Sequence, residues 1–129
     1  MFAKMKKYKI KTVRFPVTWK HFIDDNNKVN SEWMTRVSEV VDWIINENMY
    51  CILNIFNDGL NGMWLSEGIK AKEKFVSLWR QIADKFKYYD EHLIFESMSD
   101  VDYKIGENYD YLTLVELTQA FVDTVRNSG

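Results

Sequence analysis

The six residues Tyr50–Ile55, YCILNI, form an almost unbroken apolar run. A strand written this way has both faces covered, the pattern of a parallel sheet with helices packed over it. Two further strand-like runs accompany it. In Lys11–Val17, KTVRFPV, the residues Val13, Phe15 and Val17 alternate with Thr12, Arg14 and Pro16 at a period of two. The third run is Leu93–Met98. Three helical runs follow these strands. The first begins after Asn30 or Ser31, either of which can cap it, and aligns Trp33, Val37, Val40, Val41, Ile44 and Ile45 before fading at Asn46, Glu47 and Asn48. The second, Lys70–Lys87, repeats Phe75, Leu78, Trp79, Ile82 and Phe86 at helical spacing, which reads as core packing. The third covers Tyr111–Arg126, with Leu114, Leu117, Phe121, Val122 and Val125 inward. Strand, loop and helix repeated three times predict right-handed β/α units on a parallel sheet.

With 129 residues the chain has room for one α/β domain, residues 1–129. Five Trp, seven Tyr and eight Phe imply a bulky core or aromatic binding platforms, with the core as the default. A net charge of −2 gives no argument for nucleic acid, and the basic run Lys4, Lys6, Lys7, Lys9, Lys11 reads as a solvated face. The lone Cys51 excludes an internal disulfide and, inside an apolar run, reads as a small buried hydrophobe. No apolar stretch approaches the roughly 18 residues of a membrane span. The opening MFAKMKKYKI is basic without the apolar centre of a signal peptide, so the chain reads as cytoplasmic or as a piece of something longer. Only His21 and His92 are present, without metal-ligand spacing, and no glycine-rich phosphate loop occurs, so no metal or cofactor is expected.

Ligands on parallel β/α sheets bind beyond the carboxyl ends of the strands. That rule selects Thr18-Trp19, Phe56-Asn57-Asp58 and Ser99-Asp100. Around these places run TVRFPVTW (Thr12–Trp19), YCILNIFNDG (Tyr50–Gly59), LWRQIADKFKYYDEHLIFESMSD (Leu78–Asp100) and LTQAFVDTVRNSG (Leu117–Gly129). Taken in order, they resemble the endoglucanases (cellulases) of glycoside hydrolase family 5, enzymes with an eight-fold β/α barrel. The resemblance implies a partial, roughly half barrel of three parallel β/α units, strands two to four, with Met1–Lys9 as the tail of the first helix. The family's first strand, and the seventh-strand glutamate that serves as nucleophile, are not expected among these residues. Members of the family are usually secreted.

The departures from the family pattern bear on activity. Phe56 and Asn57 stand where the family has two histidines, and Ser99 and Asp100 where it has Asn-Glu. Asp100 thus occupies the position of the general acid/base, one methylene short. Retaining hydrolysis needs two carboxyl groups about 5–5.5 Å apart. A misplacement of about 1 Å can cost on the order of 10²-fold. Ser99 removes a donor to the sugar 2-hydroxyl. Arg14 is retained, and in the family it supports the nucleophile. Trp19 and His21 fall in the loop that lines the sugar cleft. With Arg14, Asn57, Trp64 and Ser99 they make up the expected substrate-binding set, Trp19 and Trp64 by stacking on sugar. Asp58 reads as a residue that caps or orders its loop. Glu96 reads as a charge inside the barrel paired with a neighbour such as Arg14.

A three-strand excerpt has two edges of unpaired backbone groups, and the chain is expected to complete them by associating with itself, a symmetric dimer first. Phe56 then reads either as apolar surface for a partner or as drift after activity was lost. Three functions follow: a self-associating endo-β-1,4-glucanase homologue without efficient catalysis and with weak β-glucan binding; an active hydrolase rebuilt by oligomerisation or a complementary chain; or a structural interaction module. None involves nucleic acid or a membrane.

Overall fold

The structure is a computed structural model that describes residues 1–56, 68–99 and 111–128. Its elements are α1 (Phe2–Lys7), β1 (Thr12–Val17), α2 (Ser31–Ile45), β2 (Tyr50–Phe56), α3 (Lys72–Phe86), β3 (Leu93–Ser99) and α4 (Tyr111–Asn127), with single 3-10 turns at Lys20–Phe22 and Gly68–Ala71. The strands form one parallel sheet in the order β1-β2-β3. This is the α/β arrangement expected from the strand and helix periods, and each strand end falls within one residue of expectation.

Alternation along the strands decides which side chains reach the helices. Val17 on β1 and Cys51, Leu53 and Ile55 on β2 are buried under the helical layer. The helices answer with their apolar stripes: Val37, Val41 and Ile44 from α2, and Phe75, Leu78, Trp79, Ile82 and Phe86 from α3, each 2% exposed or less. From α4, Leu117 is fully buried, while Leu114, Phe121 and Val125 pack partly buried against the same core. Val122, expected inward, is half-buried. On α1, Phe2 and Met5 lie against this core.

Local chemistry sets the boundaries. Asn30 caps α2, its side chain accepting from the Trp33 N–H at 3.0 Å, which satisfies one of the orphan donors of the first turn. The chain then turns into β2 through Asn48, whose φ of 57° is tolerated by asparagine far better than by a branched residue.

The loop after β1 is fastened to α3. Asp24 accepts from the backbone N–H groups of Asn26 and Lys28 at 2.9 and 2.8 Å, forming an Asx-type turn. Gln81 on α3 then grips the loop twice: its Oε1 accepts from the Val29 N–H at 2.9 Å and its Nε2 donates to the Asn27 carbonyl at 2.8 Å. Gln81→Ala removes both bonds and leaves a part-buried N–H at Val29. The expected loss is about 1–2 kcal/mol of stability by urea titration, with faster hydrogen exchange at Val29. Unchanged exchange there would show that the grip is not what holds the loop.

Candidate functional site

The register aligns chemistry across the sheet. Pro16, Asn54 and Glu96 form one row; Arg14, Ile52 and Ile94 form the row beneath it. These positions lie on the face opposite the helices. Glu96 is the single acidic residue in the three strands. Arg14 reaches diagonally over β2 to it, Nε donating to Oε2 at 2.8 Å and Nη2 to Oε1 at 2.6 Å. Asn54, fully buried on the central strand, donates through Nδ2 to the same Oε2 at 2.8 Å. One network therefore ties all three strands on this face. The pairing of Glu96 with Arg14 is the one the sequence suggested.

The electrostatics follow. Hydrogen bonds from the Arg14 guanidinium hold the Glu96 carboxyl below its ordinary range; partial burial opposes this, and the Asn54 bond and the Arg14 charge reinforce it. A group held ionised in this way is a fixed anion. A general acid for glycoside cleavage needs the opposite shift, a carboxyl kept protonated near neutrality. Cys51 offers no nucleophile either, since burial pushes its thiol up to about 12.

At the carboxyl end of the sheet β3 contains an irregularity. Asn54 pairs with Glu96, yet Phe56 pairs with Ser99, so β3 carries one residue more than β2 over this span. Such a bulge re-aims the side chains beyond it. Ser99 is 8% exposed and its Oγ donates to the Ile55 carbonyl at 3.5 Å. The Ser99 hydroxyl is thus turned to the backbone of the neighbouring strand.

The loop after β1 is tied down at the same end. Thr18 Oγ1 donates to the Phe56 carbonyl at 3.1 Å, and Trp19 Nε1 to the Asn54 carbonyl at 3.4 Å. This corrects the expectation for Trp19. The ring is fully buried in the core, so it packs the junction of β1 and β2 and shows no face on which a sugar could stack. His21 is exposed on the 3-10 turn Lys20–Phe22, beside Phe22, whose ring stacks on Trp33 at 3.8 Å between centroids. The structure thus brings Arg14 onto the barrel-facing side with Glu96, puts Ser99 at the carboxyl end, and takes Trp19 inside. Asn57, Asp58, Trp64 and Asp100 lie outside the described residues.

Sequence reasoning missed Asn54. Its signal was a lone amide in an otherwise apolar strand, because a polar group in such a place requires partners. Its Oδ1 is buried with no partner among the described residues. Among these residues no group of three His, Cys, Asp or Glu is placed to hold a metal ion, and no helix is long and apolar enough to cross a membrane.

The pattern of family 5 cellulases, described as Cellulase (glycosyl hydrolase family 5), matches residues 1–129. The chain belongs to glycoside hydrolase family 5. It is 36% identical to Endoglucanase A of Paenibacillus barcinonensis, a match covering all of this chain and 35% of that protein. Among solved structures, a GH5-4 broad specificity endoglucanase from an uncultured bovine rumen ciliate is 60% identical, with a TM-score of 0.90 over 99% of this chain and 36% of its own. A family 5 xyloglucanase from Paenibacillus pabuli is 38% identical, again with a TM-score of 0.90, over 99% and 39%. The chain thus spans about a third of the length of these relatives. As a family 5 chain it contains three parallel β/α units, a partial barrel rather than a closed one.

Proposed function

We propose that this family 5 chain is an endo-β-1,4-glucanase homologue that associates with itself and, by itself, binds β-glucan weakly without efficient hydrolysis. The state of Glu96 is the observation that carries this reading. The single carboxylate of the three strands is committed to Arg14 and Asn54 and held ionised, so the sheet presents no proton donor to a glycosidic oxygen. Two further observations support it. Ser99 directs its hydroxyl to the Ile55 carbonyl, and by the resemblance to the family Asp100 stands where a longer acid is expected. With Trp19 buried, stacking on sugar falls to Trp64. Association is supported by the sheet itself, because β1 and β3 each have one side without a strand partner among the described residues, and exposed strand edges recruit other chains.

Release of reducing sugar from soluble β-glucan is the test, run beside Asp100→Asn. The expected result is binding without turnover, and weaker binding for Trp64→Ala. Turnover that Asp100→Asn abolishes would overturn the reading in favour of a hydrolase completed by oligomerisation or by a complementary chain. Absence of any binding would favour a purely structural module.

A further inference from the structure

Three phenylalanines lie in the strands, and one of them stands apart. Phe15 and Phe95 pack against the hydrophobic core beneath the helices, and Phe95 meets Trp79 edge-on. Phe56 is half-buried but outside that core, and it contacts no other ring among the described residues. Its place on β2 is the reason. Side chains alternate along a strand, so Ile55 goes under the helices at 2% exposure, while Asn54 and Phe56 share the opposite face. Asn54 bonds to Glu96, so that face is the one with the Arg14–Glu96 pair. Phe56 is the next side chain along it, about 7 Å nearer the carboxyl end of the sheet.

The surroundings of the ring are fixed and polar. The Phe56 carbonyl accepts from Thr18 Oγ1 and the Ile55 carbonyl from Ser99 Oγ, so hydroxyls from both sides hold the end of β2. One step below the ring, the side chains of Arg14 and Glu96 stay 48% and 32% exposed although they are paired. A carboxylate has about four acceptor sites. Among the described residues, Glu96 Oε2 takes bonds from Arg14 and Asn54 and Oε1 takes one from Arg14, which leaves Oε1 with a further acceptor site.

We propose that Phe56 is a stacking platform for one pyranose ring of a β-glucan, with Glu96 Oε1 accepting a hydroxyl of the same sugar. This inference rests on the glucan binding proposed above and gives that binding a residue on the sheet itself. The neighbours decide for a sugar and against an apolar protein surface. A protein surface laid on Phe56 would also cover Arg14 and Glu96 and strip water from both, a desolvation cost that an apolar contact does not return. A β-linked glucose unit has C–H groups on the faces of its ring and hydroxyls around its rim. It therefore meets an aromatic face and an ionised carboxylate together, each with the chemistry that suits it. The carboxylate serves here as an acceptor, a role that its ionised state favours and that asks for no proton transfer.

Affinity electrophoresis of the 129-residue chain in gels cast with soluble β-glucan provides the test. Phe56→Leu keeps an apolar side chain but removes the ring face, and it is expected to bind about ten-fold more weakly than the wild type. Phe56→Trp keeps a ring and is expected to bind at least as tightly. Both should retain the wild-type circular dichroism spectrum, since the side chain lies outside the core. A second measurement needs no variant: with cellohexaose bound, the Phe56 ring protons are expected to show nuclear Overhauser effects to sugar C–H protons. Equal binding by Phe56→Leu, or a glucan-saturated wild type without those effects, would overturn the platform while leaving glucan binding standing. Loss of binding in both folded variants would overturn it as well, because side-chain shape rather than a ring face would then be what counts. A wild-type chain that no glucan concentration retards would sink the proposed binding and this inference with it.

Discussion

Trp79→Ala is expected to remove about 3–5 kcal/mol of stability, the range for truncating a large aromatic in a packed core. Domains of this size have about 5–15 kcal/mol in total, so the variant should unfold at low denaturant or fail to fold. The size of the effect comes from where Trp79 sits. It is fully buried on α3 and meets Phe121 of α4 edge-on at 4.5 Å between centroids and Phe95 of β3 at 5.8 Å. One side chain thus joins two helices and the last strand. Its indole N–H is buried with no partner among the described residues, so Trp79→Phe removes an unsatisfied donor along with some volume. That variant should cost less, under about 2 kcal/mol. Urea titrations followed by circular dichroism separate the two. Equal losses would mean that volume is not what Trp79 contributes.

The second large effect is a reversal of pH dependence. In the wild type the Glu96 carboxyl is held below its unfolded value, chiefly by hydrogen bonds from Arg14. A group with a lowered folded pKa contributes stability that is present above the unfolded value, near 4.3, and is lost as pH falls through the folded one. Asn54→Asp replaces the amide that donates to Glu96 Oε2 at 2.8 Å with a second carboxylate at a fully buried position. Two carboxylates in that space raise the pKa of the pair. The sign then inverts, since the folded state binds a proton more tightly than the unfolded one and stability rises as pH falls toward 4. At pH 7 the expected loss is about 3 kcal/mol, recovered in part by pH 5. Stability measured from pH 4 to 8 checks it. A parallel downward shift of the wild-type profile would show that residue 54 and Glu96 are not coupled.

These two sites also show what could be read from the sequence and what could not. The five apolar residues from Phe75 to Phe86 recur at helical spacing, and periodicity alone placed them inside. The ion pair of Arg14 with Glu96 was legible because an isolated charge within a strand needs a partner. Trp19 was not legible. An aromatic just beyond a strand's carboxyl end has the same local pattern whether it faces a cleft or turns into the core. The outcome was set by tertiary contacts, the hydrophobic core that takes in the ring together with its bond to the Asn54 carbonyl. The extra residue in β3 left only a faint trace, the break in alternation at Glu96-Ser97, which composition does not distinguish from a fraying strand end. Gln81 was invisible because a lone glutamine on a helix gives no sign of a loop, distant in sequence, that comes back to meet it.

The strand order β1-β2-β3 has a consequence for how the chain comes into being. Each strand lies beside its nearest predecessor in the polypeptide, with no crossover that waits for a later segment. Contacts between near neighbours close small loops and form early, and domains emerging from a ribosome fold from the amino end. Pairing of β1 with β2 therefore requires nothing beyond Phe56, before α3 exists. Synthesis can then lay down the structure in the order it is read, and an interrupted nascent chain would carry a shorter version of the same layered arrangement rather than a misthreaded one.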